Sequence, residues 1–230
     1  MNDQEFKNEN DKLYREWTNL KNESDTFVWD GIIDYHNWHN YDLKLLFFAK
    51  EAYCDENTLE WDYTEEFRES KGNLSPKKSK PFFNRLREWT YTIDAAMHGK
   101  ATINPQDFIS NQAKCSELIL SSAIINLKKI NGKSSSSDKE LKQITIDHRE
   151  LLLRQISLIK PNIIIVCGTF GIIKDILFEE AKKIETCERS YDYNGSLLID
   201  FLHPSRAYAE SYEFLFNEIK KIKDYSKYLG

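Results

Sequence analysis

Four polar groups stand where apolar runs of the chain end: a carboxylate at Glu51, a carboxamide at Asn126, a tight turn at Gly168-Thr169 and an imidazole at His203. Between them they offer proton exchange and a paired hydrogen-bond donor and acceptor, the means by which a site holds a polar ligand or works on it. Singly, each has an ordinary explanation: a salt-bridged glutamate, a strand-ending asparagine, a turn glycine, a packed histidine. Their convergence is what carries weight. The stretch Cys-Gly-Thr-Phe-Gly at 167–171 lacks the Lys-Ser/Thr of a phosphate-binding loop and has too few glycines for a dinucleotide fingerprint, so Gly168 reads as turn chemistry. Cys54, Cys115, Cys167 and Cys187 lie far apart with no C-x-x-C pair, and the histidines, including His36 and His39, lack metal-ligand spacing. Buried, reduced thiols are expected, with no metal and no cofactor.

For those groups to converge, the apolar runs that precede them must lie side by side. LKLLFFA (43–49), SSAIINL (121–127), NIIIVCG (162–168) and SLLIDFLH (196–203) are short and apolar, as strands buried on both faces are. Helical repeats separate them. Phe82, Phe83, Leu86, Trp89 and Ile93 recur at helical steps after Pro81, and a second helix is expected over 105–119. Asp138 is a candidate cap for a long helix that faces Leu141, Ile144, His148, Leu152 and Ile156 inward and stops at Pro161. Another helix is expected from Gly168-Thr169 to about 183, a hairpin turn at Asn194-Gly195, and a closing helix over about 206–226. The fold class expected is α/β: a three-layer sandwich with a mostly parallel central sheet of four strands flanked by helices, which binds ligands beyond the strands' carboxyl ends. Residues 3–24, with Phe6, Leu13, Trp17 and Leu20 on one stripe, read as a helix, dividing the chain into a peripheral N-terminal extension (1–27) and one domain (28–230).

Composition narrows the class. With 230 residues, 40% apolar and 30% charged, and only 8 Gly and 5 Pro, the chain is no disordered or collagen-like polymer. No apolar run approaches the roughly 18 residues of a membrane span, and MNDQEFKNENDK contains no apolar signal core, so a cytoplasmic protein with no membrane partner is expected. The net charge of −5 argues against nonspecific coating of nucleic acid. It is unevenly spread: residues 50–69 carry eight acidic and two basic side chains, whereas 71–90 carry six basic and one acidic. The basic stretch is either one face for a polyanion or a solvated loop.

The strand ends resemble the uracil-DNA glycosylase superfamily, most closely its family-4 branch. There, strands end in G-E-A-P-G, N-V-V-K and H-P-S, and a helix reading roughly L-L-R-Q-I-x-L-I-x-P feeds a strand I-I-V-x-L-G. Here the stretches are Lys50-Glu51-Ala52-Tyr53-Cys54, Asn126-Leu127-Lys128-Lys129, His203-Pro204-Ser205 and LLRQISLIKPNIIIVCG (152–168). The correspondence runs from about residue 43 to 208, and the long match at 152–168 is mainly scaffold.

The resemblance implies that Glu51 positions a water or stabilises an oxocarbenium-like sugar as an N-glycosidic bond breaks, and that His203 donates to the departing base. It implies that Asn126 reads the edge of a flipped base, that Phe82 or Phe83 stacks on it, and that Ser205 and Arg206 contact phosphate. Lys77, Lys78 and Lys80 would follow the DNA backbone. Lys50 and Tyr53 replace the family's Gly and Pro, with Tyr53 as a wall that excludes a base methyl or blocks the pocket. The family's iron–sulfur cysteines are absent, and Ile130 follows Lys129. Three readings stay open: a glycosylase acting on a deaminated base in DNA, a noncatalytic module that binds a base, nucleotide or nucleic acid as part of a larger system with a protein partner, and an unrelated α/β nucleotide-binding or interaction protein.

Overall fold

The computed structural model describes residues 3–22, 25–52, 59–72, 80–131 and 137–229. Its first part runs α1 (Asp3–Thr18), β1 (Phe27–Trp29), β2 (Gly31–Ile32), α2 (Tyr35–Asn40), β3 (Leu45–Glu51), β4 (Glu60–Asp62), α3 (Glu65–Glu69), α4 (Lys80–Met97), α5 (Pro105–Ser110) and α6 (Gln112–Leu120). There follow β5 (Ser122–Lys128), α7 (Asp138–Asp147), α8 (Arg149–Ile159), β6 (Ile163–Cys167), α9 (Phe170–Leu177), β7 (Lys182–Lys183), β8 (Ser190–Tyr193), β9 (Ser196–Phe201) and α10 (Ser211–Lys220), with short 3-10 turns at Pro204–Arg206 and Tyr225–Tyr228.

The fold is mixed α/β. One seven-stranded sheet has the order β2-β5-β3-β6-β9-β8-β7, and β1 pairs in parallel with β4 in a separate two-stranded sheet. Within the large sheet β3 is parallel to β5 and β6, and β6 to β9. The sheet is wider than the four strands expected and is not mostly parallel throughout: β2 adds to β5, and β8 with β7 extends beyond β9, all antiparallel. β2 and β7 have two residues and β8 four, too few to show a strand period in sequence. Asn194 and Gly195 both have positive φ (50° and 83°), the two-residue turn that joins β8 to β9 with Tyr193 opposite Ser196.

Side chains alternate across the sheet, so each strand feeds two cores. Phe47, Ile165 and Ile199 pack with Trp89, Leu118 and Leu215 on one face, while Phe48, Ile125 and Val166 pack with Trp17, Leu152 and Ile173 on the other. Helices therefore cover both faces. Several are shorter than their periodicity suggests. The helix expected over 105–119 breaks at Asn111, the one after Asp138 breaks at His148, and α9 stops at Leu177. Ser137, not Asp138, caps α7: its hydroxyl accepts from the Glu140 N–H at 3.1 Å, and Asp138 lies in the first turn. Among the described residues no helix is long and apolar enough to cross a membrane.

The edge of β5 is held by a buried ion pair that the sequence reading does not include. Lys129 Nζ donates to Asp30 Oδ1 and Oδ2 at 2.6 and 2.7 Å, with both side chains almost wholly enclosed. Asp30 also accepts from the Asn126 main-chain N–H at 2.7 Å, Gln155 Nε2 at 2.9 Å and Tyr14 Oη at 3.0 Å. Tyr14 donates as well to the Asp30 carbonyl. Burial pulls the Lys129 ammonium down and Asp30 pulls it back up, and the net direction is down. Removing one partner leaves an uncompensated buried charge. Asp30→Ala and Lys129→Met are each expected to lose about 3–5 kcal/mol in urea denaturation, and the double variant less than their sum. Additive losses would show that the two charges do not interact.

Candidate active site

The carboxyl ends of β3, β5, β6 and β9 share one end of the sheet. Glu51 closes β3 in register with Lys128 on β5, and Asn126 pairs with Ala49 two residues earlier. Side-chain alternation puts Glu51, Asn126 and Lys128 on the face that carries α4, with Glu51 and Asn126 diagonal neighbours roughly 8 Å apart by strand geometry. The Glu51 side chain is 10% exposed, and its Oε2 is buried with no hydrogen-bond partner. Lys128 Nζ lies 3.7 Å from that oxygen, an ion-pair distance too long for a hydrogen bond, and 3.0 Å from Glu140 Oε1.

Asn126 is 1% exposed. Its Nδ2 donates to Asp30 Oδ2 at 3.2 Å, which sets the amide's orientation: the nitrogen faces the carboxylate, and the carbonyl oxygen is turned away.

His203 is placed by a glycine. Gly168 has φ +72°, donates its N–H to the Phe201 carbonyl at 2.8 Å, and passes so close that a Cβ on it would lie 3.1 Å from the His203 Cβ and main-chain N. His203 Nδ1 accepts from the Ser205 N–H at 3.3 Å at the start of the 3-10 turn. The neutral ring then carries its proton on Nε2. Burial, with the nearby Lys50 and Arg206 charges, pushes the imidazole down to about 4, so it is uncharged at neutral pH. Strand spacing puts β3 and β9, either side of β6, roughly 10 Å apart.

The Phe82 ring stands 5.8 Å from the His203 ring at 54°. Phe83 does not share that position: it is buried in the core, 4.7 Å from Phe67 and 6.0 Å from Tyr63. A helix turns neighbouring residues about 100° apart, so only one of the pair can face the strand ends. Ser205 and Arg206 are exposed on the 3-10 turn beside His203. Tyr53, Lys77 and Lys78 lie outside the described residues, as does the side chain of Lys80, which opens α4. Two further arginines of the basic stretch are tied into the protein. Arg85 donates to Glu88 and the Ala209 carbonyl, and Arg87 to Ser116 Oγ and the Gln112 carbonyl.

The sequence reading omitted the Glu51–Lys128 pairing and the Asp30 carboxylate behind Asn126. One signal for them was present: two lysines ending a buried strand require acidic partners if they are buried with it. Thr169 adds a further unmet group, since its Oγ1 is buried without a hydrogen-bond partner after β6. Cys115, Cys167 and Cys187 are buried, and burial pushes the Cys115 thiol up to about 11 and that of Cys167 further, so both are protonated. Among the described residues no three His, Cys, Asp or Glu side chains are grouped as metal ligands.

No family model and no curated protein matches the chain.

A histidine with a folded value below its unfolded one protonates first in the unfolded chain, so stability is expected to fall as pH drops from about 6.5 to about 4. His203→Asn should lessen that fall. In a nitrogen-detected titration the His203 ring should show the Nε2–H tautomer and a midpoint near 4; a midpoint near 6.5 would show a solvated ring. Gly168→Ala is expected to lose at least about 1–2 kcal/mol in urea denaturation from its left-handed backbone and to shift the His203 ring resonances. Unchanged stability and shifts would remove Gly168 as its support.

Proposed function

We propose that this chain is a uracil-DNA glycosylase-like enzyme of the cytoplasm that hydrolyses the N-glycosidic bond of a flipped, deaminated base in DNA. Its central unit would be the four parallel strands β5-β3-β6-β9, within a three-layer domain of the glycosylase type. The observation that carries the reading is the neutral, Nε2-protonated His203 beside the Phe82 ring, at the same sheet end as a buried Glu51 oxygen without a hydrogen-bond partner.

In this mechanism the C1′–N bond breaks and its electron pair leaves on the base. Negative charge then develops on a base carbonyl oxygen, where the His203 Nε2–H donates to it. A neutral donor in a partly dehydrated setting stabilises charge that appears only in the transition state. Glu51 faces the other product, the positively charged sugar: it stabilises that cation and orients a water whose oxygen forms the new C1′–O bond and whose proton passes to the carboxylate. Phe82 stacks on the flipped base, and Asn126, its amide oriented by Asp30, offers an acceptor to the base edge. Ser205 and Arg206, exposed beside His203, receive phosphate.

A second reading, a noncatalytic module that binds a base or nucleotide, is favoured by Lys128, whose ammonium 3.7 Å from Glu51 Oε2 offsets the carboxylate's charge. The two are separated by single-turnover base release from single- and double-stranded oligonucleotides carrying uracil, hypoxanthine or xanthine, with binding measured in parallel. The expected outcome is alkali-labile abasic sites formed about 10²–10⁴ times more slowly by Glu51→Gln with binding little changed. Binding without release, unaffected by Glu51→Gln, would establish the module. Neither binding nor release would overturn both.

A further inference from the structure

Glu51 and Glu140 share one cation. Lys128 Nζ lies 3.0 Å from Glu140 Oε1, a hydrogen-bonded ion pair, and 3.7 Å from Glu51 Oε2, beyond hydrogen-bond reach. The ammonium thus donates to the carboxylate that needs it less. The Glu140 side chain is 46% exposed and keeps water, whereas that of Glu51 is 10% exposed and its Oε2 is buried with no hydrogen-bond partner. An enclosed carboxylate oxygen without a donor is costly, and a small approach of the ammonium would satisfy it. Glu140 is what the ammonium is bound to instead.

The local structure accounts for this arrangement. β3 and β5 set Glu51 and Lys128 in register, and α7, which packs against β5, begins with the Ser137 hydroxyl accepting from the Glu140 N–H at 3.1 Å. Glu140 is therefore the third residue of α7, where a capping-box glutamate would turn back to the main-chain N–H of the cap; here its Oε1 reaches Lys128. The other lysine at this strand end, Lys129, is taken by Asp30. Lys128 alone would cancel the charge of Glu51. With Glu140, one cation and two carboxylates leave the group a net charge of −1.

We propose that Glu140 is a positioning residue for Glu51: it holds the Lys128 ammonium off the Glu51 carboxylate and leaves that carboxylate its charge for the cationic sugar. When Glu140 loses its charge, the ammonium turns to Glu51, and a carboxylate in a direct ion pair stabilises a second cation less. The effect on rate rests on the hydrolytic reading above. The holding of Lys128 does not, and it is measurable without a substrate.

Two measurements on the full chain test the proposal. The first is a double-mutant cycle in urea denaturation between Glu51→Gln and Lys128→Met, run in the wild-type and in the Glu140→Gln background; glutamine suits the capping position and removes only the charge. The Glu51–Lys128 coupling should be within about threefold in folding equilibrium constant with Glu140 present and about tenfold or more without it. Equal coupling in both backgrounds would overturn the proposal. The second is single-turnover base release. Glu140→Gln should slow it about ten- to a hundredfold with oligonucleotide binding within about threefold, and adding Lys128→Met should return most of the lost rate, because no ammonium is left to occupy Glu51. A purely structural part for Glu140 predicts no such recovery. An unslowed Glu140→Gln, or a double variant as slow as the single one, would also overturn the proposal. If the wild-type chain releases no base, the proposed function falls, and the cycle alone decides whether Glu140 holds Lys128 off Glu51.

Discussion

An ionised carboxylate cannot be buried without loss of several kcal/mol unless a cation and hydrogen-bond donors replace the water it gives up. Asp30 meets that condition with four donors from three stretches of chain: Tyr14 in α1, Asn126 near the end of β5 with Lys129 just beyond it, and Gln155 in α8. None lies closer than 16 residues in sequence, and the lysine lies 99 away. The full set of partners around Asp30 is therefore complete only with α1, the chain entering β2, β5 and α8 all in place. It acts as a check on assembly: a register slip on β5 would leave charge enclosed with no partner.

The strand-end site inherits its geometry from that constraint. Asp30 turns the Asn126 amide, and the parallel register of β3 on β5 sets Lys128 across from Glu51. On the far side of the site the constraint is steric rather than electrostatic. Gly168 lets two main-chain segments approach so closely that a Cβ there would lie 3.1 Å from His203, which with its left-handed backbone fixes where the chain beyond β9 carries His203. Burial and two neighbouring cations then keep the imidazole neutral, so the site presents a donor that carries no charge of its own. Each group thus takes its character from surroundings supplied by other elements.

The elements legible in sequence were those whose signal is local. The strand runs in β3, β5, β6 and β9 and the Asn194-Gly195 turn depend on consecutive residues and stand in the structure within a residue or two of their expected bounds. The antiparallel edges β2, β7 and β8 are too short to carry a period and exist because neighbouring strands offer unpaired main-chain groups. Helix ends were misread where a break falls inside an amphipathic run, as at Asn111 and His148, because the apolar stripe continues across the interruption. Phe82 and Phe83 were indistinguishable by type, and only the rotation of α4 against the sheet sends one toward His203 and the other into the core.

By itself the sequence determined the α/β class, the apolar strands that build the centre of the sheet and the polar residues waiting at their ends, because hydrophobic period and turn chemistry are written in adjacent residues. Only the tertiary structure decided what those polar residues became. A carboxylate such as Glu51, an amide such as Asn126 or an imidazole such as His203 takes its charge, orientation and available atoms from neighbours tens to more than a hundred residues away. Those neighbours become neighbours only when the sheet closes around them.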